Sequence, residues 1–187
     1  MTETYYDYLT QISWKGTVYR KFFLYPKIMR YCGAKTLDVG CGTGAFLKAF
    51  SGAQGVDINE HCVDHCKRAG LNAAYMSKDH LQFAEGSFDT IVLDNVIEHI
   101  VNPEPLLVEC RRVLKPEGNI IVGVPLKKGY ARDPDHKKYY SADTLKSLML
   151  GLGFVPQDIF EMPIKGLGNI LSSACTYMVA KKSKFEK

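Results

Sequence analysis

The sequence is poor in the features that mark several protein classes. Its six cysteines in 187 residues come to about 3%, against roughly 8% or more in a disulfide scaffold, so they read as reduced thiols. No unbroken apolar run exceeds four residues, whereas a membrane span needs roughly 18 or more. Met1-Thr2-Glu3 lacks the basic and then apolar stretch of a leader, and the expected compartment is the cytoplasm. Basic charge is scarce as well. Of the formal +4, Lys181 to Lys187 supplies four lysines against one glutamate, which leaves the body near neutral and without the basic stripe of a nucleic-acid binder.

What is present fits one soluble α/β domain. With 46% apolar and 24% charged residues, a chain of this length can bury roughly 70% of its unfolded surface. Neither a repeat nor a Pro/Gly/Ser-rich linker divides it, so a single domain over 1–187 is expected, with an N-terminal helical cap at 1–33, a core at 34–180 and a basic tail at 181–187. From Lys35 onward, short apolar runs alternate with helical patterns, the signature of βαβ units and a parallel sheet. The expected strands are Thr36 to Val39, Gln54 to Asp57, Ala73 to Met76, Thr90 to Leu93 and Asn119 to Val124. Asn59, Asn102 and Ser141 are placed to cap the intervening helices, and Gly153 to end the last of them. Phe154 to Met162 and Thr176 to Ala180 read as an antiparallel pair closing the sheet edge. The first 33 residues hold Tyr5, Tyr6, Tyr8, Trp14, Tyr19, Phe22, Phe23 and Tyr25. Val18, Phe22, Tyr25 and Met29 share a helical stripe until Pro26 disturbs it, which suits a helix packed on the sheet edge or a lid over a pocket.

The most informative segment is Leu37-Asp38-Val39-Gly40-Cys41-Gly42-Thr43-Gly44-Ala45-Phe46-Leu47, a strand running through glycines into a helix. Glycines at such a turn let the backbone bend sharply and a ligand approach closely. Gly40, Gly42 and Ala45 also satisfy a dinucleotide fingerprint, so the loop alone does not decide between ligands. Asp38 does. Two residues before the first glycine, it would oppose a pyrophosphate and favour a cation such as the sulfonium and ammonium of S-adenosylmethionine. Asp57, 17 residues after Gly40, can hold a ribose in either case. No Lys-Ser or Lys-Thr follows the glycines, which disfavours a phosphate-cradling loop.

Four stretches carry a resemblance: Leu37 to Leu47, Gly55-Val56-Asp57-Ile58, Gly86-Ser87-Phe88-Asp89 leading to Leu93-Asp94-Asn95-Val96-Ile97-Glu98-His99, and Arg112-Val113-Leu114-Lys115-Pro116-Glu117-Gly118. In this order they resemble class I S-adenosylmethionine-dependent methyltransferases, especially the small-molecule branch that includes enzymes of quinone biosynthesis. The resemblance implies a Rossmann-like, seven-stranded, mostly parallel sheet with helices on both faces and the last strand antiparallel. It also implies that Gly40, Cys41, Gly42 and Gly44 pass beside the methionine part, Asp57 holds the ribose and Ile58 packs on the adenine. Asp94 and Asn95 would face the methionine end and the transferred methyl. Where the family often has an acid near the adenine amine, this chain has Ser77, then Lys78 and Asp79; Ser77, the Lys78 backbone or a shifted Asp79 would serve.

Methyl transfer is an in-line displacement, so the protein must align the acceptor, exclude water and, for a hydroxyl or ammonium, accept a proton. His136 and His99 are the candidate bases. The loop Lys127 to Tyr140 offers Lys127, Lys128, Arg132, Lys137 and Lys138 with Tyr130, Tyr139 and Tyr140, suited to an anionic or sugar-containing small molecule. No metal is expected: Cys62 and Cys66 fall on an apolar helix face, and in the group Asp94, Glu98 and His99 the glutamate is read as pointing to solvent. Nucleic-acid methylation is disfavoured, since Val96-Ile97 follows Asp94-Asn95 in place of two prolines and an aromatic, and no proline-cysteine pair occurs. An NAD-dependent oxidoreductase and a non-catalytic binder of S-adenosylmethionine or S-adenosylhomocysteine are the rival readings.

Overall fold

Strands buried on both faces carry nearly continuous apolar side chains, as the central strands do here, and among the described residues seven strands form in all. In the computed structural model, which describes residues 14–163 and 173–184, these are β1 (Thr36–Val39), β2 (Ala53–Asp57), β3 (Ala73–Tyr75), β4 (Phe88–Asp94), β5 (Leu114–Pro125), β6 (Phe154–Met162) and β7 (Cys175–Lys182). They form one sheet in the order β3-β2-β1-β4-β5-β7-β6. The first five pair in parallel, and β7 runs antiparallel between β5 and β6. The fold is thus the Rossmann-like sheet with an antiparallel last strand. Tyr5, Tyr6 and Tyr8, the segment 164–172 and residues 185–187 lie outside the described residues.

Among the described residues, seven α-helical segments flank the sheet: α1 (Trp14–Tyr19), α2 (Tyr25–Met29), α3 (Ala45–Ala49), α4 (Glu60–Arg68), α5 (Glu104–Val113), α6 (Lys127–Tyr130) and α7 (Ala142–Gly151). Two caps fall where the residue types put them. Asn59 accepts from the amides of His61 and Cys62, and Ser141 forms a reciprocal capping box with Thr144. Asn102 does not cap α5; Pro103 takes that position with no side-chain bond, its fixed φ of −82° already near helical. Gly153 follows α7 with φ +77°, a left-handed turn suited to glycine.

Each central strand splits its side chains between two cores, as the pleat requires. Ile91 and Leu93 of β4 join Leu106, Leu107, Cys110, Leu145 and Met149 on one face. Val92 joins Leu24, Tyr25, Ile28, Phe46 and Cys66 on the other. The N-terminal helices therefore cover a sheet face and not the edge. Their stripe also differs from the expected one: a π turn at Arg20–Leu24 widens the helix by one residue. Leu24, Tyr25 and Ile28 are consequently buried, while Val18 and Phe22 are 42% and 62% exposed. Pro26 sits in the first turn of α2, where its missing N–H costs nothing. At the other end Lys181 and Lys182, counted above with the basic tail, belong to β7. Lys182 is buried and its Nζ donates to the Leu114 carbonyl at 2.8 Å.

The strand order reverses between β1 and β4: the chain leaves β1 towards β2 and β3, then returns to the opposite side. Such a switch point opens a crevice outside the carboxyl ends of the two strands. Asp38 and Asp94 stand at these ends.

Candidate active site

The turn after β1 needs residues that accept positive φ, and Gly40, Gly42 and Gly44 take +75°, +52° and +75°. The amides of Gly40 and Cys41 both donate to the Val56 carbonyl, at 2.8 and 3.0 Å, which fixes the loop against the end of β2. Asp57 closes the same junction. Its carboxylate accepts from Gly42 N and Asn59 N, each at 2.8 Å. Burial raises its pKa, and these amides oppose the rise. Cys41 and Cys66 lie beside each other beneath the loop, with the Cys66 sulfur 3.3 Å from the Gly42 carbonyl. Cys62 and Cys66 are fully buried, in keeping with a packing role.

Asp38 is 4% exposed, more enclosed than a residue lining an open mouth. Its surroundings are nevertheless polar. Burial holds its carboxyl well above the ordinary range, the negative charges of Asp94 and Asp57 add to that, and Arg20 opposes it. The three strand ends of β1, β2 and β4 therefore bring Asp38, Asp57 and Asp94 into one electrostatic group beside the glycine loop, a place that favours positive charge.

Asp94 is the hub. It accepts from Arg20 Nη1 at 2.7 Å, Tyr177 Oη at 2.7 Å and Asn95 Nδ2 at 2.8 Å. Asn95 itself adopts φ +58°, a conformation asparagine tolerates better than most residues, and receives the Cys175 thiol at 3.5 Å. Burial holds the Tyr177 hydroxyl well above its usual pKa, and the Asp94 charge adds to this. Neither Arg20 nor Tyr177 was identifiable as a site residue from the sequence. The available signal was Gly123 in β5, opposite Tyr177 in register: a Cβ there would collide with the Tyr177 ring and lie 3.1 Å from Asp94 Oδ1.

On the β2–β3 side, Ile58 is half-buried against the first core. Ser77 pairs with His80 in an isolated bridge and Lys78 is exposed. Asp79 Oδ1 is buried with no hydrogen-bond partner among the described residues. The following loop is bracketed from α5: Arg112 donates to the carbonyls of Leu81 and Phe83, and Glu109 accepts from Leu81 N.

The histidines come together after β4. Ring centroids of His99 and His136 are 4.7 Å apart, and His136 stacks on Tyr130 at 5.2 Å while its Nδ1 donates to the Tyr130 carbonyl at 2.8 Å. Burial lowers the His99 pKa and the neighbouring His136 lowers it further. Glu98 corrects the sequence reading: it is 0% exposed, with both carboxylate oxygens lacking a partner among the described residues. It lies on a 3₁₀ turn, Ile97–His99, whose tight pitch turns the side chain inward where a free loop would have released it to water. Burial pushes its carboxyl up to about 8, helped by Asp94 and Asp133.

Residues 37–122 match a family described as the methyltransferase domain. A ubiquinone biosynthesis O-methyltransferase of Methylococcus capsulatus is 34% identical over 99 residues, 47% of this chain and 42% of that protein. A Mycobacterium tuberculosis protein named as a probable S-adenosylmethionine-dependent methyltransferase is 32% identical, over 71% of this chain and 53% of its own length. The matches thus span about half the length of these relatives. Among solved structures, a Thermotoga maritima protein titled a SAM-dependent methyltransferase, possible histamine N-methyltransferase, superposes with TM-score 0.77 at 18% identity, covering 98% of this chain and 100% of that one.

Proposed function

We propose, from the premise that residues 37–122 match the methyltransferase-domain family, that this chain is a class I S-adenosylmethionine-dependent methyltransferase and transfers a methyl group from S-adenosylmethionine to a small-molecule acceptor. The observation that carries the reading is the group of Asp38, Asp57 and Asp94 around the glycine loop at the switch point. A dinucleotide's diphosphate would meet the carboxylates of Asp57 and Asp94 with like charge, whereas the cationic methionine end of S-adenosylmethionine is complementary to them and favours ionisation of the buried Asp38. Arg20, the protein cation that pairs with Asp94, reduces this field without cancelling it.

The residues divide the work by position. The backbone of Gly40, Cys41, Gly42 and Gly44 admits the methionine part, with Asp38 beneath it. Asp57, already oriented by two amides, holds the ribose. Ile58 and the Ser77–Lys78 backbone border the adenine, and the unpartnered Asp79 oxygen is a stronger acceptor for its amine than the Ser77 hydroxyl. Asp94 and Asn95 orient the methionine end. Bound there, S-adenosylmethionine supplies a methyl group on a positively charged sulfur and leaves as S-adenosylhomocysteine.

On the acceptor side, the segment Lys127 to Tyr140, which comprises α6 and the loop after it, suits an anionic or sugar-containing molecule, although Tyr140 is buried in the core and does not face it. His136 and His99 stand where an acceptor's proton would leave, and the N-terminal helices shield the reaction from water. Domain limits of 1–187 and a cytoplasmic setting accompany this reading; among the described residues no helix is long and apolar enough to cross a membrane.

Calorimetry with S-adenosylhomocysteine and with NADH tests the cofactor. One S-adenosylhomocysteine bound per chain is expected, weakened about 1 to 3 kcal/mol by Asp57→Ala. NADH binding in its place would overturn the assignment. Labelled methyl transfer into a metabolite extract then identifies the acceptor, and binding without turnover would mark a non-catalytic binder.

A further inference from the structure

The structure assigns a divalent-cation site to Glu98, His99 and His136. Each offers one ligand atom, and these atoms lie within 4.8 Å of one another. The donor set is two imidazoles and a carboxylate, which suits a first-row transition cation and leaves further coordination positions open.

Three independent features point the same way. A carboxylate that is fully buried and without a partner is costly, and a bound cation removes that cost by supplying the opposite charge. Both histidines are held from behind: His136 donates Nδ1–H to the Tyr130 carbonyl, which leaves Nε2 as the ligand atom, and His99 hydrogen-bonds the Asp135 backbone. Such second partners fix tautomer and ring direction at metal sites. Finally, the two segments are tied to each other by main-chain bonds, since the amides of Lys137 and Lys138 both donate to the Glu98 carbonyl, at 2.7 and 3.1 Å. The 3₁₀ turn and the loop carrying His136 are thereby preassembled. With ligand bonds of about 2.0 to 2.2 Å, the three atoms must close to roughly 3 to 3.5 Å, a rotation of side chains and not of backbone.

The charges around the site agree. Asp94 and Asp133 face Glu98, and Asp133 Oδ2 is 3.9 Å from His136 Nε2. Of the two lysines that follow His136, Lys138 directs its Nζ over the Tyr140 ring at 5.4 Å. On the proposed methyl-transfer reading, on which only this role rests, the cation would bind an acceptor oxygen beside Asp94, and His136 and His99, as its ligands, would orient the acceptor and not take its proton. The hydroxyl proton passes to solvent, the oxygen lone pair forms the new O–CH₃ bond, and the C–S electron pair goes to sulfur.

The test uses the untagged full chain, freed of metal with a chelator and titrated with Co²⁺ alone, by calorimetry and by the visible absorption of ligated Co²⁺. One Co²⁺ per chain is expected. Glu98→Gln and His136→Gln should each weaken it at least about 10-fold, while His80→Gln, on an exposed histidine, should leave it unchanged. Glu98→Gln keeps the side-chain volume, and thermal melting confirms that each variant is folded. No binding by the wild type, or binding insensitive to both ligand variants, overturns the site. S-adenosylhomocysteine affinity measured on the same samples separates the readings: cofactor binding without Co²⁺ defeats only the cation, and the reverse defeats only the methyltransferase.

Discussion

Arg20 Nη1 lies 2.7 Å from Asp94 Oδ2, so the N-terminal π turn places a protein cation against the carboxylate that faces the methionine end in the proposed function. The pair is partly open, with side chains 30% and 11% exposed, and should contribute about 1 kcal/mol or less to stability. Its larger effect is on ligand charge. S-adenosylmethionine carries one more positive charge than S-adenosylhomocysteine, so Arg20→Gln should favour the former selectively. A shift of about 1 kcal/mol, roughly fivefold in the ratio of the two affinities, is expected from removing one partly screened charge. Calorimetry with both ligands reads this ratio. If it stays constant, the sulfonium is not near Asp94.

Asp38 gives a pH signature. Its folded-state pKa is raised above the unfolded value by burial first, then by Asp94, Asp57 and Cys66, against Arg20. Stability from its neutral form is therefore full below the unfolded pKa and lost as pH rises through the folded one. Asp38→Asn should remove this loss and leave the ligand-free protein more stable than wild type at the upper end of a series from about pH 5 to about pH 8. Denaturant unfolding across that series is the measurement. Parallel curves for the two proteins would show that Asp38 is ionised without penalty.

The sheet was readable because buried parallel strands leave short apolar runs: β1 matches its expected limits, as does the antiparallel edge strand β6, while β5 begins five residues earlier than expected and the others differ by one or two residues at their ends. The glycine loop and Asp57 were readable because a sharp turn demands glycine and sits a fixed distance from the next strand end. The hub at Asp94 was not, since Arg20 and Tyr177 are 74 and 83 residues away in sequence and meet it only after the sheet forms. Glu98 was misread for a related reason. Nothing local to Ile97-Glu98-His99 says that the turn is 3₁₀, and one residue of pitch decides whether the carboxylate faces water or the histidines.

Gly123 is a position in β5 with no room for a side chain. The Tyr177 ring crosses the space where its Cβ would be, on the way to Asp94. Gly123→Ala should force the ring aside, break the 2.7 Å hydroxyl–carboxylate bond and cost about 1 to 3 kcal/mol. Tyr177→Phe loses the same bond without overpacking and should cost less, about 0.5 to 1.5 kcal/mol. Equal costs in chemical denaturation would mean that the bond, and not the ring's position, is the whole effect.

The single guanidinium of Arg112 holds the loop that borders the proposed adenine position. It donates to the carbonyls of Phe83 and Leu81 at 2.8 and 2.9 Å and forks onto Glu109 at 2.7 and 2.9 Å. Lysine cannot reproduce that planar fork, so Arg112→Lys should lose most of it and cost about 1 to 3 kcal/mol. The Arg112 hydrogen bond, the largest cause, holds the Glu109 carboxyl down at about 2, below its ordinary 4.5. The associated stability is full above the unfolded pKa and disappears as pH falls through the folded one. Acid unfolding of wild type should accordingly be steepest between these two values. Arg112→Lys should flatten this limb and speed amide exchange at Leu81, whose N–H is held by Glu109 at 3.1 Å. An unchanged acid limb with unchanged exchange would mean that the loop is held by its buried Leu81 side chain alone.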